Sequence, residues 1–398
     1  MCGSLVVRQE FATLASPSRV LSDDVASRIV DKLKMMNYRV RLQAAGDELS
    51  KHRLDHLLVT HLPNIRYLSG FTGSSAVVLV SRERSILFTD GRYTEQAKEE
   101  VYDAKVMITT KQALPGAADW LGRRRGSRPK GLAVGIEAEH FTVADRRRLA
   151  HLLPKHVRLR EAPPLIEQAR MIKDADEISL IRKAATTGAR LFDTALNAIR
   201  PEAREIEVAA KMEYAAREAG AEGMSFETII ASGARSALPH GRASDVRIPG
   251  GGFVVCDFGV ILHGYCSDRT RTVYVGSAAE EARRIYGAVL EAQLAAIDAV
   301  QPGVSVGSVD HAARKVLQKN GLAKYFTHST GHGVGLEIHE APRVAKGQPE
   351  LLRPGMVITV EPGVYLPGKW GVRIEDMVVV TEHGCEVLDP TQKEFIAI

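Results

Sequence analysis

Two acid-bearing hairpins in the last third of the chain constrain its fold more than any other feature. Asp257 closes the β-rich run Val254-Val255-Cys256-Asp257-Phe258, and Asp268 opens Asp268-Arg269-Thr270-Arg271-Thr272. Between them, Leu262-His263-Gly264-Tyr265 is polar and Gly-containing and reads as a turn. With the turn centred on Leu262-His263, Asp257 and Asp268 stand directly opposite, their Cβ atoms roughly 5 Å apart on one face. The construction repeats downstream. Val357 to Gly363 and Val372 to Met377 flank Leu366-Pro367-Gly368-Lys369, and a turn near Gly368 sets Glu361 opposite Glu375.

Facing carboxylates on an apolar sheet cannot all stay ionised without compensation, because close like charges push protons back on. Two divalent ions about 3.5–4 Å apart would remove the conflict. Any one of these acids alone would read as a solvated strand end. Four in two matched hairpins, together with the Gly-flanked His332, point to a dinuclear metal site with ligands Asp257, Asp268, His332, Glu361 and Glu375. Hard oxygen donors with one imidazole favour Mn, Fe, Co or Zn over Ca or Cu; two divalent ions per chain are expected, manganese first.

The residues around these ligands carry a resemblance. In order they are Ser236-Ala237-Leu238-Pro239-His240-Gly241, the Asp257/Asp268 hairpin and His328-Ser329-Thr330-Gly331-His332-Gly333-Val334-Gly335-Leu336-Glu337-Ile338-His339-Glu340. Glu361-Pro362-Gly363-Val364-Tyr365 and Gly371-Val372-Arg373-Ile374-Glu375-Asp376 complete the series. It resembles the pita-bread metallopeptidases, the superfamily of methionine aminopeptidase, aminopeptidase P, prolidase and creatinase, and most of all the Xaa-Pro peptidases. The match runs over roughly residues 40 to 398. It implies an α+β chain: a curved antiparallel pita-bread domain with pseudo-twofold halves, preceded by a smaller α/β creatinase-type domain. Arg269 departs from the pattern, where relatives carry an aliphatic residue. As the strand neighbour of Asp268 it should point away from the metal face.

The remaining chain divides accordingly into residues 1–36, an extension of unknown role; 37–164, the creatinase-like domain; and 165–398, the catalytic domain. Glu161-Ala162-Pro163-Pro164 marks the second boundary, with the helical run from Asp176 beyond it. Strand-like runs at Leu54–Thr60, Ser75–Val80 and Ser85–Thr89 alternate with helical ones at Tyr93–Glu100 and Thr142–Leu153, and Val25–Met36 could form an amphipathic helix. The N-terminal extension lacks the apolar stretch of a signal peptide, and no run approaches the roughly 18 residues of a membrane helix. A cytoplasmic protein without membrane partners is expected. The net charge of +5 draws on Arg123–Lys130 and Arg146-Arg147-Arg148. These lack the aromatic interleaving of a nucleic-acid surface, so they read as a solvated face with no nucleic-acid partner. Of the four cysteines, Cys256 and Cys266 flank the metal hairpin and are expected to pack rather than bridge.

From this constellation Asp268 and Glu375 are expected to bridge the ions, Asp257 to chelate one, and His332 with Glu361 to complete the other. A hydroxide between the ions is the expected nucleophile, with Glu361 also taking its proton. By family position, His240, His328 and His339 would meet the scissile carbonyl or the proline side. Arg373, on the face of Glu375, would orient that ligand or pair with a substrate carboxylate. The resemblance implies an exopeptidase cleaving Xaa-Pro bonds in proline-containing peptides, working as a homodimer through the N-terminal domain. The compact length and the Asn64–Phe71 segment lean towards an aminopeptidase P-like enzyme. The alternative is prolidase, which cleaves Xaa-Pro dipeptides. A metal-free creatinase-like hydrolase and a non-enzymatic binding protein of the same fold are less compatible, since such members have lost ligands this chain keeps.

Overall fold

Short apolar runs separated by polar turns build the N-terminal sheet. The computed structural model describes residues 36–110, 112–124, 131–388 and 391–398. Residues 1–35 of the extension, with all but the last residue of the helix expected at Val25–Met36, and most of the basic segment Arg123–Lys130 lie outside the described residues. Six strands form one mixed sheet: β1 (His56–Val59), β2 (Ala76–Val80), β3 (Ile86–Asp90), β4 (Lys105–Thr109), β5 (Leu132–Glu137) and β6 (Val157–Ala162), in the order β4-β3-β2-β1-β5-β6. β1–β2 and β2–β3 are antiparallel and the other pairs parallel. Every residue of β2 is buried, because helices cover both faces. Ala117 and Leu121 of helix Ala113–Gly122 and Leu149 of helix Val143–Leu152 pack on one side. Leu42, Ile65, Leu68, Leu165 and Ile166 pack on the other. The helix Leu165–Arg170 therefore belongs to this core, one helix beyond Pro163-Pro164. Arg146, Arg147 and Arg148 are exposed, as a solvated face requires.

The next helix, Ala175–Ala198, starts at an Asp174 cap. Asp174 accepts from the backbone of Glu177, whose carboxylate reaches back to the Asp174 N–H, a complete capping box. With helix Glu205–Glu218 it packs on the sheet of β8 (Ile229–Ser232), β9 (Gly252–Phe258) and β12 (Arg269–Val275), in the order β12-β9-β8. A small sheet of β7 (Gly223–Met224), β10 (Val260–Leu262) and β11 (Tyr265–Cys266) extends the β9–β12 hairpin. The plan then repeats. Helices Glu280–Asp298 and Val306–Lys319 pack with β13 (Gly331–Gly333), β14 (Glu340–Val344), β15 (Val357–Val360), β18 (Asp376–Val380) and β19 (Cys385–Val387), while β16 (Gly363–Leu366) and β17 (Trp370–Arg373) form a separate hairpin. This is the expected α+β architecture, a pair of helix-covered antiparallel halves. The halves meet where the Glu375 N–H donates to the Thr270 carbonyl (3.1 Å) and Thr272 Oγ1 to the Arg373 carbonyl (2.8 Å). Their acid-bearing strands are thereby brought side by side. Among the described residues no helix is long and apolar enough to cross a membrane, and Cys256, Cys266 and Cys385 are free thiols.

Candidate metal centre

Strand register decides which acids meet. In the first hairpin Ile261 pairs with Cys266 and Leu262 with Tyr265, so the turn is centred on His263-Gly264, not on Leu262-His263. Both residues take positive φ, 51° and 81°, the pair of left-handed conformations that a two-residue hairpin turn demands. Asp257 consequently faces Thr270 rather than Asp268. The correction moves the pairing by two residues, so Asp268, two before Thr270, keeps to the face of Asp257. In the second half Val360 pairs with Asp376 and Gly363 with Arg373. The two ladders share one register, which sets Glu361 against Glu375 in the gap between them. His332 enters from β13, its N–H donating to Thr359 Oγ1 (3.1 Å). Arg269 turns away, donating to Thr391 Oγ1.

Asp268, His332 and Glu375 each offer a ligand atom within 4.8 Å of the other two. Nε2 of His332 lies 3.5 Å from both Asp268 Oδ2 and Glu361 Oε1. Its Nδ1 faces the Gly333 carbonyl at 3.0 Å, which assigns the proton to Nδ1 and leaves Nε2 a free donor atom. Burial lowers its pKa to about 4, so the ring is neutral at pH 7. Asp257 completes the group: Oδ2 accepts from Arg373 Nη2 (2.5 Å), while Oδ1 is buried with no hydrogen-bond partner. Burial, reinforced by the neighbouring carboxylates, raises Asp268 and Glu375 well above the usual carboxylate range. Burial also pushes Glu361 up to about 7, against the pull of Arg373. Four carboxylates thus share a single guanidinium. An orphaned buried oxygen, a neutral imidazole with a free nitrogen and excess negative charge are what a divalent-ion site requires.

Residues 179–382 match the model of metallopeptidase family M24, and residues 41–172 that of the creatinase/prolidase N-terminal domain. The chain belongs to metallopeptidase family M24. It is 37% identical to the Xaa-Pro dipeptidase of Pyrococcus furiosus over 357 residues, 89% of this chain and 99% of that one. The solved Xaa-Pro dipeptidase from Bacillus anthracis superposes with a TM-score of 0.83 at 37% identity, covering 93% of this chain and 100% of that one. An X-Pro aminopeptidase from Thermotoga maritima gives 0.79 at 36% identity, covering 88% and 99%. The M24 chain is therefore a peptidase, and family membership implies divalent metal. Of the two expected specificities, these relatives favour the prolidase alternative over the aminopeptidase P-like reading. Asn64–Phe71 no longer supports the latter, since Asn64 is fully buried in the structural network described below.

The M24 site opens into a cavity of about 650 Å³ with the five candidate ligands in its lining. Phe226, Ile229 and Ile338 supply an apolar wall, and His240, His339 and Arg343 stand at its rim. The three expected histidines are not equivalent. His240 and His339 are exposed to the cavity, and the His339 ring meets that of His332 edge-on at 4.3 Å. His328 is held at both nitrogens, by the Ser329 carbonyl (2.7 Å) and the Tyr365 hydroxyl (2.9 Å). Burial and then the charge of Arg373 lower it to about 4, so it is a neutral acceptor for Tyr365.

Arg373 is committed to the protein. It donates to Asp257 Oδ2, to Tyr365 Oη (2.7 Å), to the Pro239 carbonyl (3.0 Å) and, through Nε, to Thr270 Oγ1 (3.0 Å). Its bonds reach Asp257 and Thr270 directly, and Glu375 only by way of Thr270. Thr270 passes the bond on, donating to Glu375 Oε2 at 2.7 Å. Neither Thr270 nor Tyr365 stood out in the sequence. The available signal was alternation: Thr270 is two residues from Asp268 on one strand face.

Proposed function

We propose that this M24 chain is a prolidase, hydrolysing Xaa-Pro dipeptides with two divalent ions, manganese first, held by Asp257, Asp268, His332, Glu361 and Glu375. The observation that carries it is the group of four carboxylates, three of them buried, that line one cavity together with the Arg373 guanidinium. Asp268, His332 and Glu375, whose ligand atoms lie within 4.8 Å of one another, would hold the ions together with Asp257 and Glu361. Bound there, the ions would polarise the scissile carbonyl and bring the pKa of a water molecule towards neutrality. Glu361, in the lining of the cavity, would take a proton and return it to the leaving nitrogen. Arg373 and Thr270 fix the carboxylate orientations. His240 and His339 face the position where the carbonyl and its developing charge would sit.

Proline at the leaving side has no amide hydrogen to recognise, so the pocket must accept the ring by shape, and Phe226, Ile229 and Ile338 provide such a wall. The dipeptide preference draws support from the relatives and from Arg343. This exposed guanidinium lines the cavity and can meet a carboxylate one residue beyond the scissile bond. A homodimer through the N-terminal domain and a cytoplasmic location complete the reading, the former testable by light scattering.

The deciding experiment is metal analysis of the purified protein combined with hydrolysis of Ala-Pro, Ala-Pro-Pro and longer Xaa-Pro peptides. Two ions per chain with preferential cleavage of Ala-Pro is the expected result. Faster turnover of Ala-Pro-Pro than of Ala-Pro would assign the chain to the aminopeptidases instead.

A further inference from the structure

We propose that Arg170, which lies outside the metal site on a helix of the N-terminal layer, is a positioning residue for catalysis. It would act by fixing the segment Glu337–Glu340 and, through it, the orientation of His339 in the substrate cavity. This rests on the reading of His339 as a substrate-facing group. Between β13 and β14 the residues 335–339 have no strand ladder of their own; they are bends. The side chains flanking His339 are instead tied to the N-terminal layer. Arg170 Nη2 donates to Glu337 Oε2 (2.9 Å) and to Glu340 Oε1, while its Nη1 donates to Asn64 Oδ1 (2.7 Å). Glu340 also accepts from Lys173 Nζ (3.2 Å) and from the Glu337 N–H (3.0 Å). Arg170 and Lys173 are only 3% and 4% exposed.

The amide of Asn64 is locked from the other side, donating to Glu137 Oε1 (2.7 Å) and Glu167 Oε1 (2.5 Å). Leu336 packs into the N-terminal core. Gly335 lets the Glu340 carboxylate fold back across the segment, for a Cβ there would sit 2.7 Å from Oε2. Burial opposes the charges on Glu337 and Glu340. Even so, His61 and Arg170 bring Glu337 down to about 2, and Lys173 and Arg170 bring Glu340 below its usual range. The latch is therefore ionised throughout the neutral range. A guanidinium is a rigid planar fork, so one buried side chain bonded to residues 337 and 340 sets the path of the two residues between them, Ile338 and His339. Both line the cavity.

A double-mutant cycle on the metal-loaded protein tests this. Arg170→Gln should lower kcat for Ala-Pro by about ten- to a hundredfold, the scale of a small misplacement, with KM and two ions per chain retained. Arg170→Lys, which keeps the charge without the fork, should recover only part of it. In a His339→Ala background the Arg170→Gln change should cost less than about twofold, since a residue acting through His339 has nothing left to position. Fully multiplicative losses, or an unchanged kcat in Arg170→Gln, would overturn the proposal while leaving the site reading intact. An unchanged kcat in His339→Ala would instead overturn the site reading and the proposal with it. If Arg170→Gln does not fold, Glu337→Gln enters the same cycle, because it loosens one arm and keeps the Arg170–Glu340 pair.

Discussion

Two clusters of acids withdrawn from solvent flank the same cavity, and their surroundings treat them oppositely. In the latch, Glu337 and Glu340 meet two buried cations, Arg170 and Lys173, and both carboxyls titrate below their usual range. In the metal pocket, Asp257, Asp268, Glu361 and Glu375 meet, among the described residues, the one guanidinium of Arg373, and Asp268, Glu361 and Glu375 titrate above the usual range. The desolvation cost is common to both; the supply of positive charge is not. A buried acid is therefore no sign of a metal site by itself. The deficit of protein cations around it is, since a cluster that is complete within the chain is a structural joint.

The comparison breaks most readily at Asp268. Asp268→Asn should abolish Ala-Pro hydrolysis, because it removes charge where the protein has too much for itself and just enough for two ions. Circular dichroism should show the fold unchanged, and in chelator the variant should melt above wild type, having lost a like-charge neighbour. Wild-type turnover with full metal content would remove Asp268 from the ligand set. Next in size is His339→Ala, expected to keep both ions while kcat falls by about 10²–10⁴-fold, as for a lost proton-transfer group. Metal loss in parallel with rate would make His339 a support of the centre instead.

The metal pocket was legible in the sequence because its signal is local. Acids at fixed distances from a turn survive small errors of register, as the first hairpin demonstrates. Its centre moved to His263-Gly264, where the positive φ angles fall, yet the even shift left Asp257 and Asp268 on one face. The latch was illegible for the opposite reason. Arg170 lies 106 residues from Asn64 and 167 from Glu337, and no periodicity links them. Glu340 and Asn64 were both visible in recognisable motifs, but only packing shows that each is half of a buried pair. The same holds for the cation that divides itself among Asp257, Tyr365, Pro239 and Thr270. Arg373 could be placed on the right face by alternation, while its partners come from three other segments.

Stability should separate the clusters by sign. Glu340→Gln leaves Arg170 and Lys173 short of a buried carboxylate and should destabilise the folded chain by roughly 3–5 kcal/mol, the usual cost of breaking a buried pair from one side. Denaturant unfolding measures it. Set beside the rise expected for Asp268→Asn in chelator, the same loss of one negative charge would harm the latch and relieve the pocket. Equal signs in the two variants would mean that the local supply of cations does not govern these sites.

The smallest effect is the pH slope of the metal-free protein. A carboxyl whose folded pKa lies above its unfolded one holds its proton more tightly when folded. For Glu361 that contribution is complete below about 4.5 and disappears as the pH rises through about 7. Asp268 and Glu375, raised by burial in the same direction, add to that loss. Glu337 acts in reverse: its contribution is present above about 4.5 and is lost as the pH falls towards about 2. In chelator, the melting temperature should therefore decline from pH 4.5 to 7.5, and decline less in Glu361→Gln. With metal restored the slope should invert, since protons compete with the ions for the same oxygens and for Nε2 of His332, and activity should fall steeply below neutrality. Parallel slopes with and without metal would mean that the pocket's carboxylates do not carry the charge deficit that distinguishes them from the latch.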